Sequence, residues 1–436
     1  MAGEWLVIQF GQLLAEPVRN GIYKQKEFHG RGAKIVNMGE LFAHPRLRAV
    51  PMKRVALSDS EAARFTLAEG DLLFARRSLV AEGAGKCSVV LDIDEPTTFE
   101  SSIIRARPDR TKADPHFLYY FFNSTSGLHC LDTIRRQVAV AGITGSDLVK
   151  LELAVPPLPE QRAIAHILGT LDDKIELNRK LSETLEAMAR ALFKSWFVDF
   201  DPVRAKMEGR DTGLPREIAD LFPSRMVESE LGEIPEGWDV WTLGEVISQR
   251  LERCSPSDET RSRPYVPIEC IAARSLLLSQ SKPGGEAQSS LTRFYRGDLL
   301  FGAMRPYFHK VAIAPFDGTT RTTVFVLWPR IPDDFAFAAL LLHDPKTIEY
   351  ATNHSTGSTI PYAVWQGSLE AMPTVLPPKQ IRALFNLRAK PLLDRLTPML
   401  FETNALAALR DTLLPKLISG ELRIPAAVSH FAEATA

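Results

Sequence analysis

The distribution of apolar and polar positions divides the chain into two kinds of region. Short apolar runs bounded by turn residues read as strands. They are Leu72–Ala75, Ser88–Ile93 and Ser101–Arg107, and later Leu299–Gly302, Val311–Ala314 and Thr322–Trp328. Pro115–Thr125 and Phe335–His343 read as short helices packed on those sheets. The other kind of region has the longer period of a helix. After Pro159 no proline occurs until Pro202, and Ile164, Ile167, Leu171, Lys174, Asn178, Leu181, Leu185, Met188 and Leu192 form a seam with 3,4 spacing. That spacing predicts a coiled coil, with Lys174 and Asn178 as polar interruptions that can fix register. A similar seam runs through Leu392, Leu396, Met399, Leu406, Leu409, Leu413 and Leu417. Its helix, from about Gln380 to Ser419, contains Pro391 and Pro398 and is expected to kink or restart at Pro391.

These regions recur in the same order. Glu69-Gly-Asp-Leu-Leu-Phe-Ala-Arg-Arg matches Arg296-Gly-Asp-Leu-Leu-Phe-Gly-Ala-Met-Arg, an offset of 227 residues between Gly70 and Gly297. Leu158-Pro-Glu-Gln-Arg-Ala matches Pro378-Lys-Gln-Ile-Arg-Ala. The stretch from Leu185 echoes the one from Leu406 at an offset of 221. Three ordered matches at nearly constant offset describe a doubled unit, each copy a mixed α/β (α+β) module followed by a long helix. A long helix must bury its apolar stripe. Antiparallel pairing of the two helices does so, and packing of each helix on its own module is the alternative.

Composition narrows the class. The chain has 436 residues, 45% hydrophobic and 24% charged, so each module can bury a core. No apolar run is long enough to span a bilayer. The first residues, Met1-Ala-Gly-Glu-Trp, show no basic leader and predict no export signal. Four scattered cysteines suit a reducing cytoplasm better than a disulfide framework. Net charge is −1, so any nucleic-acid surface must be a local patch. Arg outnumbers Lys by 35 to 17, which suits bidentate recognition of phosphate or guanine, although a codon preference gives the same count.

Catalytic motifs are missing. Gly83-Ala-Gly-Lys-Cys has Val80 at the first glycine position of a phosphate-binding loop and Cys87 at its Ser/Thr position, so it reads as a turn. There is no Gly-x-Gly-x-x-Gly, no Cys-x-x-Cys, and no Asn/Asp-Pro-Pro-Tyr/Phe tetrapeptide of the DNA amino-methyltransferases. His129-Cys130 reads as core filling and not as a metal site. Two similar modules, a helical spacer and no catalytic constellation describe a bivalent binder.

The helical motifs carry a specific resemblance. Leu158-Pro-Glu-Gln-Arg-Ala-Ile-Ala, continuing through Leu185-Glu-Ala-Met-Ala-Arg-Ala-Leu-Phe-Lys-Ser-Trp-Phe-Val-Asp-Phe, resembles the central helical region of Type I restriction–modification specificity subunits. Ser229-Glu-Leu-Gly-Glu-Ile-Pro-Glu-Gly-Trp and Ala407-Ala-Leu-Arg-Asp-Thr-Leu-Leu-Pro-Lys-Leu-Ile-Ser-Gly-Glu-Leu are similar to later regions of the same family. Pro398 departs from the pattern and bears on the straightness of the second helix. The resemblance implies a target-recognition domain at 1–157, a central helical spacer at 158–200 and a linker at 201–236. It implies a second recognition domain at 237–376, a C-terminal helical spacer at 377–424 and a tail at 425–436. Each domain would read one half of a bipartite, asymmetric double-stranded DNA target. The helices would set the spacing and dock two methyltransferase subunits and, through them, restriction and motor subunits. S-adenosylmethionine, ATP and magnesium would sit on those partners, with no cofactor or metal on this chain.

Base edges and phosphates are reached by Arg, Lys, Asn, Gln, Ser, Thr and Tyr on loops beside the sheets. The first module offers Arg19, Asn20, Lys24, Lys26, Arg31, Arg76, Arg77, Lys86, Arg135, Arg136 and Gln137. The second offers Arg261, Arg263, Arg305, Tyr307, His309, Lys310, Arg321, His354, Ser355, Thr356 and Ser358. Arg76-Arg77 and Arg305 follow the repeated Gly-Asp-Leu-Leu-Phe strand and are expected at matching places. Trp196, Phe197 and Phe200 are candidate contacts for a methyltransferase subunit, or else a plug at the junction with the second module. Two rival classes stay open: a scaffold whose modules bind protein, and a modification enzyme with an unrecognised site.

Overall fold

The computed structural model describes residues 5–136, 141–288 and 290–424. It divides into two compact units. One holds residues up to Ile175 together with those from Ala405 onward, and the other is Glu176–Asn404.

The first unit is built on a five-stranded sheet in the order Leu14–Asn20, Ile103–Pro108, Leu72–Ala75, Cys87–Val90, Arg46–Leu47. The second has a four-stranded sheet in the order Ile247–Gln249, Val324–Pro329, Leu299–Gly302, Val311–Ile313. The first four strands of one match the four of the other, so the sequence repeat is a repeat of topology. The central strands Leu72–Ala75 and Leu299–Gly302 are buried along their whole length, which is why they read as continuous apolar runs. A smaller three-stranded sheet accompanies each.

The repeated Gly-Asp is a turn that aims the central strand. Gly70 and Gly297 have φ of +87° and +91°, where a side chain is strained. The carboxylate of Asp71 accepts the Ala68 N–H at 2.8 Å, and that of Asp298 accepts the Tyr295 N–H at 2.8 Å. Each also holds an arginine from a neighbouring segment, Arg107 at 2.7 Å and Arg250 at 3.0 Å. Beyond the turn and strand, each unit carries a short helix. Pro115–Phe122 starts where the Asp114 carboxylate caps the N–H groups of His116 and Phe117 and Pro115 occupies the first turn. Phe335–His343 is apolar all round and buried.

An outer strand pair closes each module. Leu6–Gln9 runs antiparallel to Glu152–Val155, and Asp239–Thr242 to Pro373–Leu376. The chain then turns through two prolines into its helix. The same knot fixes both turns: the Gln161 amide donates to the Pro156 carbonyl at 2.8 Å, and the Arg382 guanidinium to that of Pro377 at 2.7 Å.

The central helix is a single element, Leu158–Phe197, about 60 Å long at 1.5 Å per residue. Within each unit its partner is the C-terminal helical segment, running the opposite way. In the first unit Glu160 pairs with Arg423 and Asp172 with Arg410, both at 2.7 Å. In the second, Asn178 donates to Glu402 at 2.9 Å and the Ser182 hydroxyl lies 3.9 Å from the Met399 sulfur. Later residues of one helix meet earlier residues of the other, so the pairing is antiparallel.

The seam differs from the one the leucines suggest. Leu181 and Met188 are exposed, whereas Asp172, Asn178, Ser182 and Glu186 are buried. The buried stripe lies about one position away from most of the apolar heptad over this stretch, and Asp172, Asn178 and Ser182 each find hydrogen-bond partners there. Tyr120, its phenol pushed up by burial and the adjacent Asp172, donates to that carboxylate at 2.7 Å. The second helix also breaks elsewhere than expected. Pro391 sits inside Lys379–Asp394, and the chain restarts as Leu396–Ser419. Pro398 falls in the first turn of that new helix, where its missing N–H has no intrahelical partner to lose.

Candidate nucleic-acid interface

The segments beyond the two central strands meet a second loop in each unit. In the first, the Arg76 N–H donates to Ser102 O at 2.8 Å and its carbonyl accepts from Ile143 at 3.0 Å. Arg77 pairs with Gly142, and Gly142 bridges Arg136. This brings Arg76, Arg77, Arg135 and Arg136 to one place; Gln137 lies outside the described residues. In the second, the Arg305 N–H donates to Pro361 O at 2.7 Å, and Tyr362 bridges both Met304 and Thr356. The Tyr362 hydroxyl donates to Thr322 O, which ties in the segment carrying Arg321. Arg305, Tyr307, Arg321, His354, Ser355, Thr356 and Ser358 therefore belong to one connected set of loops.

The two loop pairs are copies. Arg136↔Gly142 and Thr356↔Tyr362 are the same bridge at an offset of 220 residues. Arg77↔Gly142 and Met304↔Tyr362 are the same contact, at an offset of 227 for the first member and 220 for the second. This register corrects one expectation. Arg305 is not opposite Arg76 or Arg77; its counterpart is Ser78, one position further along. The extra arginine side chain in the first motif had suggested the wrong alignment.

The remaining candidates separate by what their side chains touch. Asn20, Lys26, Arg31, Arg77 and Arg136 are exposed. The Arg136 guanidinium reaches Asp147 at 2.8 Å. Arg19 donates to Arg64 O at 3.1 Å and lies 5.7 Å from the Phe65 ring centre. Lys24 pairs with Glu61 at 2.6 Å, and with the Ser58 amide it holds that carboxyl down to about 2. Arg135 is half-buried and clamps Ala84 O at 3.0 Å. Lys86 donates to Phe42 O at 3.4 Å, and Lys310 donates to Ile268 O at 2.8 Å. Both lysines thus pin the loop they sit on. Arg261 is exposed on a short helix, and Arg263 shares Glu259 with Arg293, at 3.1 and 2.9 Å. His354 stacks on Tyr350 with ring centres 3.9 Å apart and Nδ1 2.9 Å from Tyr350 O. His309 is a correction. Its ring is buried, with Nε2 2.9 Å from the His343 carbonyl, so it cannot reach a ligand on the surface.

The aromatic candidates for a partner contact are also placed elsewhere. Trp196 is 1% exposed and packs edge-on against Phe222, 5.1 Å away. Phe197 meets Phe385 at 4.9 Å, and Phe200 meets Trp238 at 5.6 Å. These rings form the core where the central helix enters the second module, because aromatic bulk at a helix end is most stable when covered. Leu177, Leu181 and Met188 are the large apolar side chains that this helix exposes. Among the described residues no group of three or more His, Cys, Asp or Glu could hold a metal ion, and no helix is long and apolar enough to cross a membrane.

Comparison with known proteins shows what the chain is similar to. Residues 18–187 match the model of the Type I restriction modification DNA specificity domain. The chain is 24% identical over 410 residues to the Type I restriction enzyme HindI specificity subunit of Haemophilus influenzae, covering 83% of this chain and 88% of that one. It is 28% identical over 324 residues to the MjaIX specificity subunit of Methanocaldococcus jannaschii, covering 71% and 69%. Over residues 18–187 the chain carries the pattern of a Type I specificity domain, and along most of its length it is similar to Type I specificity subunits. A crystal structure of a Type I system S subunit from M. genitalium shares the fold, with a TM-score of 0.61 over 95% of this chain and 96% of that one, at 15% identity. That likeness is one of fold: modules of mixed α/β structure with antiparallel helices.

The sequence had named most members of both loop pairs. It missed Leu79, Val80 and Phe308, which are exposed on the same loops. The available signal was the adjacent large apolar pair just after each repeated strand, in a segment that otherwise reads as a polar loop.

Proposed function

We propose that this chain is the non-catalytic DNA-recognition subunit of a Type I restriction–modification complex, each module reading one half of a bipartite, asymmetric target. The observation that carries this is the copied loop pair, which presents Arg76, Arg77 and Arg136 in one module and Arg305, Tyr307 and Arg321 in the other. The frameworks agree and the loop side chains differ, so the two half-sites should differ in sequence. Methyltransferase subunits dock on the helices, where Leu177, Leu181 and Met188 offer apolar contacts to a partner helix. They carry S-adenosylmethionine, and restriction subunits bound through them carry ATP and magnesium. The helices set the unread gap between half-sites.

Methylome sequencing of cells expressing the chain with its partner subunits tests this. Two unlike half-sites around a fixed gap are expected, and a continuous or palindromic motif overturns the reading. Binding to that target should weaken steeply with salt as counterions are released. The gap is tested by adding a heptad after Leu181 and another at the facing position, after Leu400. About 10 Å of added helix should lengthen the gap by about three base pairs.

A further inference from the structure

The loop beyond each central strand ends in an exposed apolar tip, and the tips overlap with a shift of one residue. In the second module, Pro306–Phe308 is a single 3-10 turn with Tyr307 and Phe308 each 47% exposed. Their ring centres lie 4.8 Å apart with planes tilted by 56°. In the first module Leu79 is 91% exposed and Val80 62%. The register set by Arg77↔Gly142 and Met304↔Tyr362 puts Leu79-Val80 on Pro306-Tyr307.

Both tips are held out from the fold and cannot collapse onto it. Arg305 and His309 flank the second tip with φ of +52° and +54°, a conformation that non-glycine residues rarely take. It is fixed by the Arg305 N–H on Pro361 O and the Arg274 N–H on His309 O, both at 2.7 Å, and by the buried His309 ring. The first tip reaches the same left-handed position through Gly85, at φ +87°, and Arg135 clamps the neighbouring Ala84 carbonyl. Two different sequences thus present two adjacent apolar side chains on a pinned loop. Cations lie on the same loop sets: Arg76, Arg77 and Arg136 in one, Arg305 and Arg321 in the other. A tip of two residues is far too small for a stable protein interface, which needs about 20–30 residues a side. Apolar bulk between guanidinium groups suits a duplex, whose base faces are apolar and whose rims are phosphate.

We infer that Tyr307-Phe308 and Leu79-Val80 are paired DNA wedges. Each inserts at one base step of its half-site and unstacks it, so that DNA deformability is read alongside base edges. This rests on the DNA-reading function proposed above. It predicts that each half-site contains one step the protein unstacks, and that a pyrimidine–purine step is favoured there because it yields most easily.

The experiment uses the full chain with its methyltransferase partners on the target found by methylome sequencing. 2-Aminopurine is placed at successive positions other than the methylated adenine. Fluorescence should rise at one step in each half-site. Tyr307→Ala with Phe308→Ala should abolish the rise in one half-site only, and Leu79→Ser with Val80→Ser in the other. Each pair should lower affinity about ten- to a hundredfold, as loss of a stacking contact does, while the salt dependence keeps its slope. Tyr307→Phe with Phe308→Trp keeps two flat rings and should retain fluorescence and affinity, which separates wedging from a folding defect. The inference is overturned by a wild-type complex that binds without any rise, by a rise that survives both double variants, or by failure of the aromatic replacement. Absence of salt-dependent binding by the wild-type complex would instead remove the DNA-reading function itself.

Discussion

Where each module hands over to its helix, the two repeats perform one task with different chemistry. In the first, neutral Gln161 donates to Pro156 O and accepts the Asp114 N–H at 2.9 Å. In the second, Arg382 stands at the same place, donates to Pro377 O and pairs with buried Asp334 at 3.0 Å. The geometry of the joint is kept and its electrostatics are not. An amide needs only its hydrogen bonds satisfied, whereas a buried guanidinium commits the site to a buried carboxylate. Divergence between the copies has therefore gone furthest where side chains face outward, but it has also entered the framework, wherever a different pair of groups could close the same contacts.

This comparison predicts unequal damage. Arg382→Ala strands the Asp334 carboxylate, 6% exposed on its side chain, and should cost about 3–5 kcal/mol. Gln161→Ala leaves a neutral N–H and C=O to find water, and should cost about 1–2 kcal/mol. Five of the six tryptophans, Trp196, Trp238, Trp241, Trp328 and Trp365, lie in the Glu176–Asn404 unit, so their fluorescence in urea follows that unit. Hydrogen exchange measured by mass spectrometry follows the other. Equal losses in the two variants would show that the charge exchange carries no added cost. The Gly-Asp turns offer the opposite case. Asp71→Ala and Asp298→Ala each remove one backbone acceptor and one arginine partner, and the arginines, 32% and 27% exposed, can rehydrate. Each should cost about 1–3 kcal/mol, the same in both units within error.

These contrasts explain how far the sequence could be read. Repeated strands and the helices Pro115–Phe122 and Phe335–His343 were legible because burial on all sides leaves unbroken apolar runs. The coiled-coil seam was legible as a period but not as a face. Leu181 and Met188 carry the apolar signal, yet Asn178 and Ser182 take buried positions, Ser182 bonded to the Asn178 carbonyl one turn back and Asn178 to Glu402 on the facing helix. No local pattern announces a bond to a residue more than two hundred positions away. The interface loops were found from residue type and their place after the repeat. Their pairing needed the bridges at Gly142 and Tyr362, which fix the register that composition left ambiguous. His309 failed as a surface candidate for a related reason: its neighbours in sequence are exposed, and only the His343 carbonyl explains its burial.

A smaller difference separates the units in acid. Burial, then the adjacent His309 and Arg190, push His343 down to about 3. His309 is lowered as well, first by burial, although the His343 carbonyl opposes the shift. At the matching end of the first unit's helix stands Asn123, which does not titrate. The unfolded chain binds a proton on His343 below about pH 6.5 that the folded chain refuses. Its stabilising contribution is thus complete above that pH and declines as pH falls toward 3, by at most about 1.4 kcal/mol per pH unit. The tryptophan-monitored unit should weaken between pH 6.5 and 4, and His343→Asn should flatten that slope. An unchanged slope would mean that carboxylates, not this histidine, govern acid unfolding.

The finest distinction concerns what aligns the helices within each unit. In the first, Ile164 and Leu168 of the central helix share a core with Leu417 and Ile418 of its partner. Large apolar side chains define register there, and the Asp172–Arg410 pair is added to them. In the second, large apolar contacts such as Phe197 on Phe385 come only at the far end of the central helix, while the buried positions Asn178, Ser182, Glu186 and Ala189 are small or polar, so hydrogen bonds define alignment over that stretch. Asn178→Leu removes the bond to exposed Glu402, which water can replace, and adds apolar area. Stability should change by no more than about 1 kcal/mol in either direction. Register should suffer instead, since a polar residue in a seam tolerates fewer alignments than a leucine. A Ser182→Cys, Met399→Cys pair measures this, because the two side chains already touch. Its disulfide should form less completely once Asn178→Leu is added. Arg410→Leu in the first unit should leave alignment there intact, as read by a cysteine pair placed across the same two helices. Full cross-linking in the Asn178→Leu background would show that apolar contacts elsewhere in the unit, and not the polar seam, hold the pair in register.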